Sequence, residues 1–184
     1  MGKRKVKGIL FVDYVRMLRA RKDIDWSERL APEDHEYLGL TIDPDEWYRL
    51  DVMEQLGLAL LETIPGDALE QVRLWGRVTA DSLVEKTPAL LVRGDPRESL
   101  MRLLVHQASY FDFTVFRTTK LVDTEIRLAI GYGMEPKAEE AAATQAMGFF
   151  TRLLELAGAG RVEARFFAES WRGDTTTLLV LDWR

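Results

Sequence analysis

The sequence predicts an α+β fold, with an N-terminal helical half followed by a β-β-α-β-β segment forming an antiparallel four-stranded sheet. Three observations predict it. Apolar residues recur at helical spacing through the first 111 positions. The period then falls to two, with Thr124, Ile126, Leu128 and Ile130 alternating with Glu125 and Arg127. A single long helical stripe over 137–157 separates two pairs of strands. The chain reads as one domain, 1–184, with a helical subdomain at 1–111 and a sheet-plus-helix subdomain at 112–184.

Val6 to Arg21 reads as the first helix, because Ile9, Val12, Val15 and Leu18 lie near one face. A connector carrying Trp26 follows. Pro32 to Leu38 has Pro at the first position and acids in the first turn, which predicts a short helix. Thr41 to Arg49 reads as irregular. Asp51 to Ile64 is a helix on Val52, Leu56, Ala59, Leu60 and Thr63, stopped by Pro65-Gly66-Asp67. Ala68 to Glu85 is the next, and Gly76 beside Trp75 predicts close approach of a neighbouring backbone. Asp95-Pro96-Arg97-Glu98 opens a helix to about Tyr110 as a capping box, with Leu100, Leu103, Leu104, Ala108 and Phe111 facing inward.

Phe113 to Thr118 and Val122 to Gly131 read as a hairpin. The long helix Lys137 to Ala157 presents Ala138, Ala142, Ala146, Phe149, Leu153 and Ala157, and Gly158 ends it. Val162 to Ala168 is the third strand, Arg172-Gly173-Asp174 a turn, and Thr175 to Trp183 the fourth strand. That last strand is apolar on both faces, which places it inside the sheet with its second face covered by helices, a ligand or a partner chain.

The 184 residues suffice for a core without staples, and 47% hydrophobic with 30% charged residues is ordinary globular composition. Thirty Asp and Glu against 25 Lys and Arg give net charge -5, which argues against nucleic-acid binding through bulk charge. Cysteine is absent, which removes disulfides, thiolate nucleophiles and Cys-held metals. No apolar run is long enough for a membrane span. Lys3, Arg4, Lys5 and Lys7 make a basic lead-in, read as solvated and too sparse for a polybasic signal. No signal core follows it, and Val6 replaces the Ser or Thr that a myristoylation pattern on Gly2 requires. The expected location is the cytoplasm.

Val6-Lys7-Gly8, Ile42 to Trp47-Tyr48, Gly76, Gly94-Asp95-Pro96, Gly148-Phe149, Ala157-Gly158-Ala159, Trp171-Arg172-Gly173-Asp174 and Leu181-Asp182-Trp183 stand out together. In these the chain resembles a myxobacterial, hence bacterial, family of similar length carrying a domain of unknown function. That family is similar to two groups of sensors: the haem nitric-oxide/oxygen-binding (H-NOX) domain and the four-vinyl-reductase-like ligand-binding domain. The resemblance implies an H-NOX-like fold with a small-molecule pocket and regulatory use. It also implies that His106, in Val105-His106-Gln107, occupies a place comparable to the proximal haem ligand. The Tyr-x-Ser-x-Arg motif that holds haem propionates in that domain corresponds here to Tyr132-Gly133-Met134-Glu135-Pro136, without the Ser and the Arg. The Cys of the four-vinyl-reductase hairpin is replaced by Thr175, Thr176 and Thr177.

Read from the residues alone, His106 falls roughly 120° from the apolar face of its helix, as a surface or boundary histidine does. His35 lies in Glu33-Asp34-His35-Glu36, where consecutive helical residues point apart, so no metal site is expected. Asp43-x-Asp45 is too short for a calcium loop and reads as a cap. Both Arg-Gly-Asp triplets, at 93–95 and 172–174, read as turns or caps. Hydrolase, Walker, Rossmann and zincin signatures are all missing. Trp47, Trp75, Tyr110, Phe111, Phe113, Phe149 and Trp171 are the candidate lining of an apolar pocket, weighed against plain core packing.

The expectation is therefore a non-enzymatic regulatory module without a cofactor or metal, binding a small apolar ligand or a protein partner. It would bind no nucleic acid and form a homodimer. The alternatives are a haem-dependent gas sensor working through His106 and an uncharacterised enzyme using carboxylates.

Overall fold

Residues 3–184 are described by the computed structural model, so Met1 and Gly2, and with them the myristoylation reading, lie outside the described residues. The chain divides into two compact units, Met1–Ala68 with Ala108–Phe113, and Leu69–Gln107 with Thr114–Arg184.

The first unit contains β1 (Lys5–Lys7), α1 (Gly8–Ala20), α2 (Pro32–His35), β2 (Trp47–Arg49) and α3 (Leu50–Leu61). Residues 5–7 are extended, not the start of the first helix, and Trp47–Arg49 is a strand, not irregular chain. The two pair antiparallel, with Val6 opposite Tyr48. The cause is local. Val6 is fully buried, and the Gly8 N–H donates to the Glu46 carbonyl at 2.8 Å. The Asp43 carbonyl oxygen lies where a Cβ at Gly8 would stand, so only glycine lets the backbones meet.

Helix α1 buries Phe11, Val15 and Leu18, and Phe11 stacks on Tyr48 with centroids 4.9 Å apart. Trp26 Nε1 donates to the Leu18 carbonyl at 2.8 Å, which also accepts the Arg21 N–H at the end of α1. Segment 108–113 completes this unit. Phe111 bridges to Val6, the Lys7 N–H donates to Tyr110, and the Lys5 N–H donates to the Asp112 carboxylate at 2.8 Å.

Much of the basic lead-in is folded into the unit. Lys3 pairs with Asp51 at 3.0 Å, Lys7 lies 4.7 Å above the Trp47 ring, and Arg4 lies 4.8 Å above Phe113. The Arg49 guanidinium, helped by Lys3, holds the Asp51 carboxyl well below the usual carboxylate range.

The second unit contains α4 (Ala68–Lys86), α5 (Pro96–His106), β3 (Phe116–Val122), β4 (Glu125–Ile130), α6 (Pro136–Leu156), β5 (Val162–Ala168) and β6 (Thr177–Trp183). Its composition differs from the 111/112 division read from sequence, because α4 and α5 pack against α6. Gly76 of α4 and Gly148 of α6 abut each other's helix backbone at Gln145 and Arg73. Arg77 binds Glu155 through two bonds of 3.0 and 2.6 Å, and the Gly94 N–H donates to Ala157 at 2.7 Å.

The sheet is antiparallel in the order β3-β4-β6-β5. Its first hairpin turns at Asp123-Thr124, later than expected, because Phe113 belongs to the first unit and pairing with β4 begins at Phe116. β6 is internal, as its two apolar faces predict. Leu179 and Leu181 fill the core with Phe150, Leu153, Leu154, Ile126 and Leu128. Val180, on the opposite face, is also buried. Its register neighbours are Arg127 and Arg165, whose heads pair with Glu125 and Asp182. On α6 the core ring is Phe150, fully buried, and Phe149 is only partly buried. Among the described residues no helix is long and apolar enough to cross a membrane.

Candidate functional site

Helix α5 starts where Asp95 accepts the Glu98 N–H at 2.9 Å, with Pro96 at the first helical position. It buries Leu100, Leu103 and Leu104 and ends on His106, which is partly buried and stands in the last turn. The next side chain fixes this end. Gln107 Nε2 donates to the Leu104 carbonyl at 2.8 Å and to the Phe116 carbonyl at 3.0 Å. Its Oε1 accepts from the Val115 N–H at 3.2 Å and the Phe116 N–H at 3.0 Å. All four bonds of the amide are made, so the end of α5 and the start of β3 are one hydrogen-bonded body.

Phe116 carries the connection inward. Its ring meets Phe150 edge-on at 5.0 Å and Tyr132 at 6.1 Å. Tyr132 lies in the loop between β4 and α6. There the Glu139 carboxylate, 5% exposed, accepts the Tyr132 N–H at 2.8 Å and the Met134 N–H at 2.9 Å. Two charge-assisted bonds thus tie the loop to the first turn of α6. A surface cavity of about 120 Å³ opens beside this region, lined by Thr114, Val115, Arg117, Ala129, Ile130, Gly131 and Thr176. It is well below the usual volume of an organic-ligand pocket.

The seven aromatic candidates do not share one unit. Trp47, Tyr110, Phe111 and Phe113 lie in the first, and Trp75, Phe149 and Trp171 in the second. The first unit brings Phe111 against Phe113 at 5.7 Å and leaves Trp47 36% exposed beneath Lys7. In the second, Phe149 meets Phe150 at 5.7 Å, and Trp75 is partly buried. Trp171 packs on Phe166 at 5.1 Å, with its Nε1 buried and without an acceptor. Around His35, burial raises the Asp34 carboxyl, and among the described residues no three His, Asp or Glu side chains converge.

Gln107 and Glu139 escape the sequence reading. The signal for Glu139 is an acid in the first turn of a helix that follows a loop with two glycines. Gln107 gives none, because its partners are backbone groups of another element.

No family model matches the chain, and no curated protein matches it. Solved structures do. The Fe(II) unliganded H-NOX protein from K. algicida is 14% identical, with TM-score 0.70 over 97% of this chain and 96% of that one. An H-NOX protein from S. oneidensis in the Fe(II)NO ligation state is 14% identical, with TM-score 0.67 over 97% and 99%. A point mutant of the T. tengcongensis H-NOX is 14% identical, with TM-score 0.64 over 97% and 97%. The fold is thus that of the haem nitric-oxide/oxygen-binding domain, as the sequence resemblance implied. These matches do not bear on myxobacterial origin. They correct the expectation of no cofactor, because the K. algicida and S. oneidensis proteins are iron-containing.

Proposed function

We propose that the chain is a sensory domain that binds haem, with the His106 imidazole as the iron ligand, and that it acts on a protein partner instead of turning over a substrate. The observation that carries the reading is the placement of His106. In an H-NOX fold it closes the helix before the first hairpin of the sheet, and the adjacent Gln107 locks that helix end to β3.

The donor set fits iron at this end. Imidazole is the nitrogen ligand that haem iron takes most readily, and Gln107 holds the backbone beside it. The other end is sparse. Residues 131–136 carry no cation, and the Tyr132 and Met134 N–H groups already go to Glu139. This loop therefore offers haem carboxylates no ion pair. When bound, the group supplies an iron centre able to coordinate a small gas. His106 would hold the metal, Gln107 would set the position of His106, and Phe116 would join both to the core at Phe150.

Titration of hemin into the purified chain tests this. A sharpened Soret band saturating at one equivalent is expected, with loss of the ligated spectrum in His106→Ala at unchanged circular dichroism. An unligated hemin spectrum in the wild type, or an unchanged one in His106→Ala, overturns the reading.

A further inference from the structure

The two edges of the four-stranded sheet are built differently. Edge β3 is closed to pairing. Gln107 occupies the Val115 N–H and both backbone groups of Phe116, and the register shifts between Thr118 and Lys120. The charged residues of β3, Arg117 and Lys120, are both cations, which repel a second copy.

Edge β5 has none of the backbone protection. Among the described residues only β6 pairs with its backbone, and its outward N–H and C=O groups are open. At its end the register shift between Phe166 and Ala168 leaves Phe167 72% exposed. A large ring in that position is an adhesive feature on an unpaired edge.

We propose that β5 pairs antiparallel with β5 of a second copy of this chain, making one continuous eight-stranded sheet across a two-fold axis. The sequence of the strand selects the copy and the register. An isologous antiparallel pair that keeps each face in register must centre on a residue. Centring on Glu163 sets that carboxylate against itself, and centring on Arg165 does the same with two guanidinium groups. Centring on Ala164 places Glu163 opposite Arg165 of the partner, twice. The same register sets Arg161 opposite Phe167, a cation over an exposed ring, and Val162 opposite Phe166 on the inner face. Every pair is favourable in this register and in neither neighbour. The intrachain partners of these charges do not prevent it. Arg161 with Glu163 and Arg165 with Asp182 are solvent-exposed pairs, weakly held and free to extend across the axis. The inference goes beyond the proposed function and does not depend on haem.

Sedimentation equilibrium on the full chain tests it. The wild type is expected at twice 21.1 kDa. Glu163→Arg or Arg165→Glu alone should weaken the dimer tenfold or more, and the double exchange should restore it to within about threefold of wild type. Phe167→Ser, at an exposed site that leaves the fold untouched, should also weaken it and stands in if a charge reversal misfolds. A wild-type monomer at about 100 μM overturns the proposal. So does a dimer indifferent to both reversals and to Phe167→Ser, or a double exchange that stays monomeric.

Discussion

Replacing Gly148 by alanine sets two helix-level effects against each other. Alanine favours an isolated helix over glycine by about 1 kcal/mol. At the crossing with α4, however, a methyl on Gly148 stands 2.9 Å from the Arg73 carbonyl carbon and 3.2 Å from its Cα, and closer still to the carbonyl oxygen. The obstacle is backbone and cannot rotate away. The helices must part by roughly 1 Å, which forfeits up to about half the dispersion energy along the seam. Overpacking of this kind costs about 1–3 kcal/mol, more where backbone is struck. The seam also carries Val72 and Ala80 and the Arg77–Glu155 pair, so we expect a net loss of about 2 kcal/mol. For a chain this long that lowers Tm by about 4–8 °C. Gly39→Ala is the control, since its nearest neighbour is the Glu36 oxygen at 3.5 Å. Thermal melts of the two variants decide the matter. A Gly148→Ala protein that melts at or above wild type would refute the tight crossing, and with it the packing of α4 on the sheet unit.

Adjacent aromatic rings should differ sharply: Phe150→Ala, at a fully buried site, is expected to cost about 3–5 kcal/mol in urea unfolding, and Phe149→Ala clearly less. Equal losses would contradict the face assignment of α6. The Arg77 guanidinium, with Arg152 adding, holds the Glu155 carboxyl below its ordinary 4.5. The native state then binds the proton less readily than the unfolded chain, so the pair stabilises above that pH and its contribution fades as pH falls through the depressed native value. With side chains 26% and 32% exposed, the effect is below about 1 kcal/mol. Arg77→Met should flatten the fall in stability between about pH 5 and about pH 3, and an unchanged slope would count against the pair.

The order of elements is legible because long stripes and alternation leave a period behind. The run Leu178 to Leu181 alone places β6 inside the sheet, and on its second face Val180 stands between Arg127 and Arg165, which no period in the sequence marks. The strands Lys5–Lys7 and Trp47–Arg49 are not legible, since three residues carry no period and their pairing depends on Gly8 meeting Asp43. Periodicity points to Phe149 in place of Phe150 because helical spacing locates a stripe only to within one residue. The aromatic set names residue types correctly as apolar, but periodicity carries no information on which compact unit takes each ring. His106 is legible as a boundary residue by its angle, and the ligand role proposed for it is suggested only by resemblance. Gln107 and Glu139 act through backbone N–H and C=O groups, which every residue has and no sequence pattern marks.

The first unit is discontinuous in the chain, and this sets an order on its birth. Val6 and Lys5 find Phe111 and Asp112 only after residues 69–107 have been made. At ordinary ribosomal speed that interval is about 2 to 8 s. The nascent N-terminal segment must wait, with Val6 uncovered, while helices of the other unit emerge. A fragment cut at Ala68 would lack its closing segment permanently, so truncation cannot isolate this unit, however compact it is once complete.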